Sequence, residues 1–545
     1  MKEGPRVKVI VKTDAEENGE KQAVEAEGQK QAQKLAIDEH GNLTPYNPET
    51  ELTAEETKMK EQEDIPTRIK DVQRVLEERV GLNKSFDLVF REMVFGSKRV
   101  AFFFCNGFSK DTVVTDIMTR LSYAGDEAVA HHTVKSFMEY LIPHIQVKEY
   151  AKMSEIVGQV LMGGTAIFIE GETSAIAVDA KTFPARSTEE PDLERVVRGS
   201  RDGFVETLLI NVTLVRRRLR DERLKLEIVE VGDRTKTDVC IGYISDIADY
   251  TLVESVRDKI KQVKIDGLPL GDKQLEEAII NKGWNPYPMV RYSERPDVVS
   301  AHMLEGHVCI FVDTSPSVMI LPTTFFHHVQ HAEEYRQTPL IGTYLRWVRF
   351  AGIVASIFLL PLWYLMVMEP SLKPAGLEFL GPQKQGTLPL LVQFLLADIG
   401  IDLMRMAAVH TPTPLATAMG LVAAIMVGDI AVKTGLFINE VIMYLALASI
   451  GMFATPSYEL GLANRITRLV LLIIVSIFNV PGLIVGSTVW LLWLATRRSY
   501  NSPYMWPLIP FNAKSFFSIL LRRPVLASKT RLSLTKPVDG TRQPE

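Results

Sequence analysis

Apolar runs long enough to cross a bilayer are nearly absent from the first 340 residues of this 545-residue chain, and almost all of them fall after Arg349. The division reads as an α/β soluble N-terminal domain followed by an α-helical integral membrane domain. Cysteine is scarce as well. Cys105, Cys240 and Cys309 form an odd set, far apart and without C-x-x-C spacing, which argues against a disulfide framework or a structural zinc site and fits a reducing compartment. No phosphate loop, no G-x-G-x-x-G after a strand, no G-x-S-x-G elbow and no H-E-x-x-H is present. An ATP-driven pump or a motif-bearing hydrolase is therefore not expected, nor is any enzymatic activity, cofactor, bound metal or nucleic-acid partner. The opening MKEGPRVKVIVK has no apolar core, so no cleaved signal peptide is expected and the soluble domain should stay on the side where it is made. The net charge of -5 and mean hydropathy of +0.07 hide the division because they average over it.

What is there begins with the spans. Phe350 to Met368 is the best, with Arg346 and Arg349 at its start; Leu415 to Val432, Leu436 to Ala454 and Leu469 to Ala495 follow, the last kinked by Pro481 and Gly482. Basic residues flank both ends of the set: Arg346 and Arg349 before, Arg497, Arg498, Lys514, Arg522 and Arg523 after. Both ends are thus expected on the cytosolic side, which requires an even number of crossings. The four runs supply it if Leu388 to Met404 is a re-entrant or amphipathic helix. The membrane domain is then 346–498, with a basic cytosolic tail over 499–545.

Residues 1–65, rich in Glu, Lys, Gln and Ala, read as a disordered or loosely helical arm. Over 66–345 strand and helix signals alternate. Strands are expected at Val100–Phe104, Thr165–Glu170, Ser174–Asp179, Leu224–Val231, Val239–Tyr243, His307–Val312 and Val318–Leu321. Helices are expected at Asp111–Tyr123, Phe204–Leu219, Leu252–Val263 and Lys273–Lys282. The length suits two lobes dividing near 190–220.

Two clusters carry possible chemistry. In FFHHVQHAEEYR a helix would set His327 and His331 one turn apart, with His328 and Glu334 nearby; this suits a metal, but a polar helix leading into the membrane explains it better. In LPLLVQFLLADIGIDLMRMA, Asp398, Asp402 and Arg405 fall at i, i+4 and i+7 on one helical face. Charges at bilayer depth are costly, so this face reads either as a pore-lining or gating surface or as an interfacial helix with its charges among headgroups. Asp429, four residues before Lys433, carries the same two readings.

The segment EEPDLERVVRGSRDGFVETLLINVTLVRRRLR, with SFDLVFREMVFGSKRVAFFFCNGFSKD upstream and EGHVCIFVDTSPSVMILPTTFFHHVQHAEEYRQ, LRWVRF, PSYEL and NSPYMWPLIPF downstream, resembles the GerA-type spore germination receptor A subunits, and within them the SpoVAF branch. The resemblance covers about residues 70 to 525. It matches the family signature at Glu190, Pro191, Arg198, Gly199, Arg201, Asp202, Gly203, Phe204, Glu206, Asn211, Arg216, Arg217 and Arg218. It implies a cytosolic α/β domain on a membrane domain, pentameric homo-oligomerisation, and an ion channel releasing monovalent cations in the inner spore membrane. It further implies a small membrane protein partner, possible contact with other germination receptor subunits, and membrane lipid around the spans. The alternative is a non-conducting scaffold or signal-transducing subunit. The family usually has Glu at Asp398 and Asp402 and a Gln-like residue at Asp429; acidic character is kept, so a cation path is implied with its selectivity open.

Overall fold

A computed structural model describes residues 63–542 apart from 126–132, 184–193, 281–282, 375, 377–380, 385, 411–429 and 501; before them it describes only a strand pair, Leu35–Ile37 with Leu43–Pro45. Most of the expected arm, most of the expected span Leu415 to Val432, and Glu190, Pro191 and Asp429 lie outside the described residues.

The first lobe is built on α1 (Ile69–Arg79), β1 (Leu88–Phe95), β2 (Lys98–Cys105), α2 (Asp111–Ser122), β3 (Val147–Tyr150), α3 (Met153–Leu161), β4 (Thr165–Ile169) and β5 (Ala175–Val178). Its antiparallel sheet has the order β1-β2-β4-β5-β3. The central strands are apolar on both faces because both are covered. Ala101 and Phe103 meet α1 and α3, whereas Val100 and Phe102 meet α2.

The second lobe repeats the arrangement with α4 (Leu208–Arg218), β6 (Leu224–Val231), β7 (Thr237–Ile244), α5 (Tyr250–Gln262), α6 (Asp272–Ile279), β8 (Arg291–Ser293), α7 (Pro296–Met303), β9 (Val308–Val312) and β10 (Val318–Leu321). The order is β8-β10-β9-β7-β6, again antiparallel. Here α4 and α7 cover one face and α5 and α6 the other.

Beyond these lobes the chain is helical: α8 (Pro339–Met368), α9 (Leu390–His410), α10 (Asn439–Phe453) and α11 (Tyr458–Thr496), with α12 (Ala513–Leu520) returning to the foot of α8. By length and apolarity, α8 and α11 are long enough to cross a membrane. The four helices share a core of Leu360, Trp363, Phe394, Val441, Leu445, Leu472 and Val475. α8 and α10 approach most closely at two glycines. A Cβ on Gly352 would lie 3.3 Å from the Gly451 Cα, and one on Gly451 would clash with the Gly352 carbonyl oxygen.

Two expectations for this region change. The run Leu469 to Ala495 is not one kinked span. Asn479 leaves the helical region at φ 50° and ψ -130°, and beyond it the chain doubles back. The Cβ positions of Gly482 and Gly486 lie 2.7 Å from the Ile474 carbonyl oxygen and 3.0 Å from the Leu471 side chain. Residues 15 apart on a straight helix would be about 22 Å apart, so α11 is a helical hairpin. Nor is Leu388 to Met404 a short re-entrant piece. α9 is a continuous 21-residue helix, about 31 Å long, running from Phe394 against Trp363 at the far end of α8 to Arg405 over Phe453 and Tyr458 at the lobe end.

Candidate functional site

The acidic face of α9 meets two arginines of α11. Arg468 Nη2 donates to Asp398 Oδ1 at 2.6 Å, and Arg465 Nη2 donates to the Asp398 carbonyl oxygen at 2.7 Å. Arg465 Nη1 pairs with Asp402, and Arg468 Nη1 reaches the Ser356 carbonyl oxygen of α8 at 3.4 Å. Asp398, Arg465 and Arg468 are buried, whereas the Asp402 side chain is 43% exposed. The formal charges of two acids and two arginines cancel. Even so, Asp398 Oδ2, Arg465 Nε and Arg468 Nε are buried without hydrogen-bond partners. Arg405 does not join them. It turns to the lobe end, over the rings of Phe453 and Tyr458 at 4.9 and 5.4 Å.

The same turns of α11 hold the second lobe. Lys273 of α6 bridges Glu276 and Glu459, the latter at 2.9 Å in the first turn of α11. The Tyr287 hydroxyl lies 2.9 Å from Thr467 Oγ1 and accepts from Trp490 Nε1 at 2.9 Å, touching both arms of the hairpin. At the foot of α8, the buried Glu334 carboxylate receives Arg346 Nε at 2.7 Å and Arg349.

The signature residues lie mainly at the junctions. Arg216 of α4 makes a bidentate pair with Asp87 of the first lobe, Nε to Oδ2 at 2.8 Å and Nη2 to Oδ1 at 3.1 Å, and Arg217 covers the Phe183 ring at 4.6 Å. Arg218 pairs with Asp202. The Asn211 side chain accepts from Val205 N–H at 2.8 Å, fixing the turn before α4, and Phe204 packs edge-on to Phe311. Gly199 needs its φ of 151°, and a Cβ there would lie 2.8 Å from the Arg336 guanidinium. Glu206 is exposed and its carbonyl accepts from Thr314 N–H; Gly203 is buried; Arg198 and Arg201 are exposed.

His327 and His331 do not share a helical face. His327 sits in a turn, accepting the Thr324 N–H at Nδ1, and His331 caps the short helix Ala332–Arg336. His327 instead meets His302 and His307, whose ring nitrogens gather within 4.8 Å. Such a trio suits a transition metal, but Arg291 Nη1 stands 3.4 Å from His302 Nε2 and would oppose a cation. Burial, reinforced by Arg291, holds all three imidazoles below their usual range, His307 down to about 3. The trio is thus held toward the neutral form, with His307 and His327 buried and His302 half-buried. Burial likewise pushes up all three thiols, with Asp87 adding to it at Cys105 and Cys240.

Arg465 and Arg468 were absent from the sequence reading, although two arginines three apart in YELGLANRITRLVLL, matching acids four apart in α9, were the available signal.

The Bacillus/Clostridium GerA spore germination protein family matches residues 75–534. This chain belongs to the GerA family. Stage V sporulation protein AF of Bacillus subtilis (strain 168) is 48% identical over 466 residues, covering 86% of this chain and 94% of that one. Spore germination protein KA of the same organism is 27% identical over 480 residues, covering 86% and 87%. The crystal structure of the N-terminal domain of the A subunit of the Bacillus megaterium germinant receptor GerK3 aligns with a TM-score of 0.37 and 23% identity, covering 48% of this chain and 97% of that one. Family membership makes this a spore germination and sporulation membrane protein of the GerA type.

Proposed function

We propose that this chain is a subunit of an oligomeric channel passing monovalent cations across the inner spore membrane during germination, and that it is not an enzyme. Its lobes and C-terminal tail sit on the cytosolic side. The observation that carries the reading is the charge network Asp398, Asp402, Arg465 and Arg468 inside an apolar bundle. Each such group costs about 2.5–3.5 kcal/mol at the centre of a membrane, a burden usually kept for a conduction or gating role. Asp402, although paired with Arg465, keeps a side chain that is 43% exposed and can meet water or a neighbouring subunit. It lines the cation path, while Asp398, locked by Arg468, positions it. Other copies of the chain, a small membrane protein and germination receptor subunits are the proposed partners.

A scaffold reading has one observation in its favour: the Asp398 charge is already countered by Arg465 and Arg468 inside one chain. Potassium efflux from cells producing the protein separates the two. The channel reading expects Asp402→Asn to reduce efflux or change ion preference at matched membrane levels. Unchanged efflux would remove Asp402 from the path. The scaffold reading instead expects no change with either acid and loss of assembly with Arg198 or Arg201 replaced.

A further inference from the structure

The foot of α8 carries an apolar stripe that does not stop where the bundle does. Leu340, Tyr344, Trp347, Val354 and Leu362 are all exposed and recur at helical spacing, so the outward face of the bundle continues toward the lobes. α12 lies beside this extension. Its Ile519 carbonyl accepts from Arg346 at 2.6 Å, the Leu520 carbonyl accepts from Trp347 Nε1 at 3.0 Å, and Ser515 and Ile519 are buried. The other side of the segment presents Phe511 and Phe517, 64% and 52% exposed.

Charge supplies the second half. Residues 497–537 contain eight Lys and Arg and no Asp or Glu. Arg522 is used internally, bonding the Tyr335 and Gln337 carbonyls. Lys514 and Arg523 are exposed and have no ion pair among the described residues. An apolar edge continuous with the bundle, bordered by free cations and lacking acids, fits the boundary of a bilayer whose headgroups are anionic.

The geometry points to α12 and its flanks, residues 508–523, as an in-plane anchor that inserts Phe511 and Phe517 among lipid chains and holds anionic phospholipid headgroups with Lys514 and Arg523. This rests on the membrane reading above and adds a lipid preference to it.

The native cysteines are all buried, so Phe517→Cys in the full chain takes a spin label selectively. In phosphatidylcholine vesicles containing phosphatidylglycerol, the label should be relaxed more by oxygen than by a water-soluble nickel complex. The full chain in neutral detergent should bind headgroup-labelled phosphatidylglycerol in preference to phosphatidylcholine, without competition from inorganic phosphate. Lys514→Gln with Arg523→Gln should weaken that binding about twenty-fold, a few-fold for each basic residue, with the melting temperature unchanged. A label exposed to the nickel complex, a label shielded from both quenchers as in contact with protein, or native lipid affinity in the double variant each overturns the anchor. A chain that fails to enter vesicles at all would instead defeat the membrane reading.

Discussion

Two buried arginine–carboxylate sites, one between the lobes and one in the bundle, use the same groups differently. At the lobe junction, Arg216 and Asp87 meet in bidentate geometry, and the remaining Arg216 nitrogen finds the Leu224 carbonyl at 3.2 Å. In the bundle, two acids share two arginines, and Asp398 Oδ2 and both arginine Nε groups have no hydrogen-bond partner among the described residues. A fully satisfied buried pair has one low-energy arrangement, whereas a partly satisfied network has alternatives. The junction is therefore a fixed joint, and the bundle network is the less completely satisfied of the two.

Four measurements can break that contrast. The largest effect is expected from Arg216→Met, which strands Asp87 in the interior and should cost about 3–5 kcal/mol in denaturant unfolding. A cost near zero would mean the junction is not a fixed joint. Next comes acid. The histidine trio has folded pKa values depressed below the usual imidazole range. Its contribution is complete above about pH 6.5 and is lost as pH falls, because the unfolded chain takes up protons that the folded one refuses. The lobes should lose about 2–4 kcal/mol between about pH 7.5 and 5.5, and replacing His307 with Phe should flatten that slope. A slope unchanged by the replacement would show that the trio is not its source.

Third, Asp398→Asn should cost about 2 kcal/mol, less than the junction change, because Arg465 keeps Asp402 and Arg468 keeps the Ser356 carbonyl. Equal costs at the two sites would erase the distinction drawn between them. Last, Lys273→Ala removes a partly exposed bridge and should cost under about 1 kcal/mol. Its use is diagnostic: if Lys273 links lobe to bundle, thermal unfolding of lobe and bundle should be less coincident in the variant than in the native chain.

The lobes were legible because each lobe sheet is covered on both faces, which writes nearly continuous apolar strands such as KRVAFFFC and VCIFV into the chain. The edge strand VKEY was not, since half its residues face water. In the bundle, composition told depth but not direction. A 27-residue apolar run is equally a long kinked helix or two short ones, and only the backbone at Asn479 decides. The bundle arginines are hidden for a related reason: apolarity places the start of the span at Leu469, one residue past Arg468, whereas the helix begins at Tyr458 and carries both arginines inside. His302, His307 and His327 come from α7, the residue before β9 and a turn, so no spacing rule joins them.

The glycine pair at 352 and 451 has a mechanical meaning. Two backbones touching at one point, with no side chains between, can roll about that point but cannot be pressed closer. Gly352 divides α8 into an arm of about 20 Å toward Pro339 and one of about 24 Å toward Met368. The short arm is gripped by Glu334 and α12; the long arm ends beside Asn479 through Glu369, at the turn of the hairpin. Gly352 thus sets how near α8 and α10 can come, and any side chain larger than hydrogen at either glycine would wedge the two helices apart between the gripped foot and the core around Trp363.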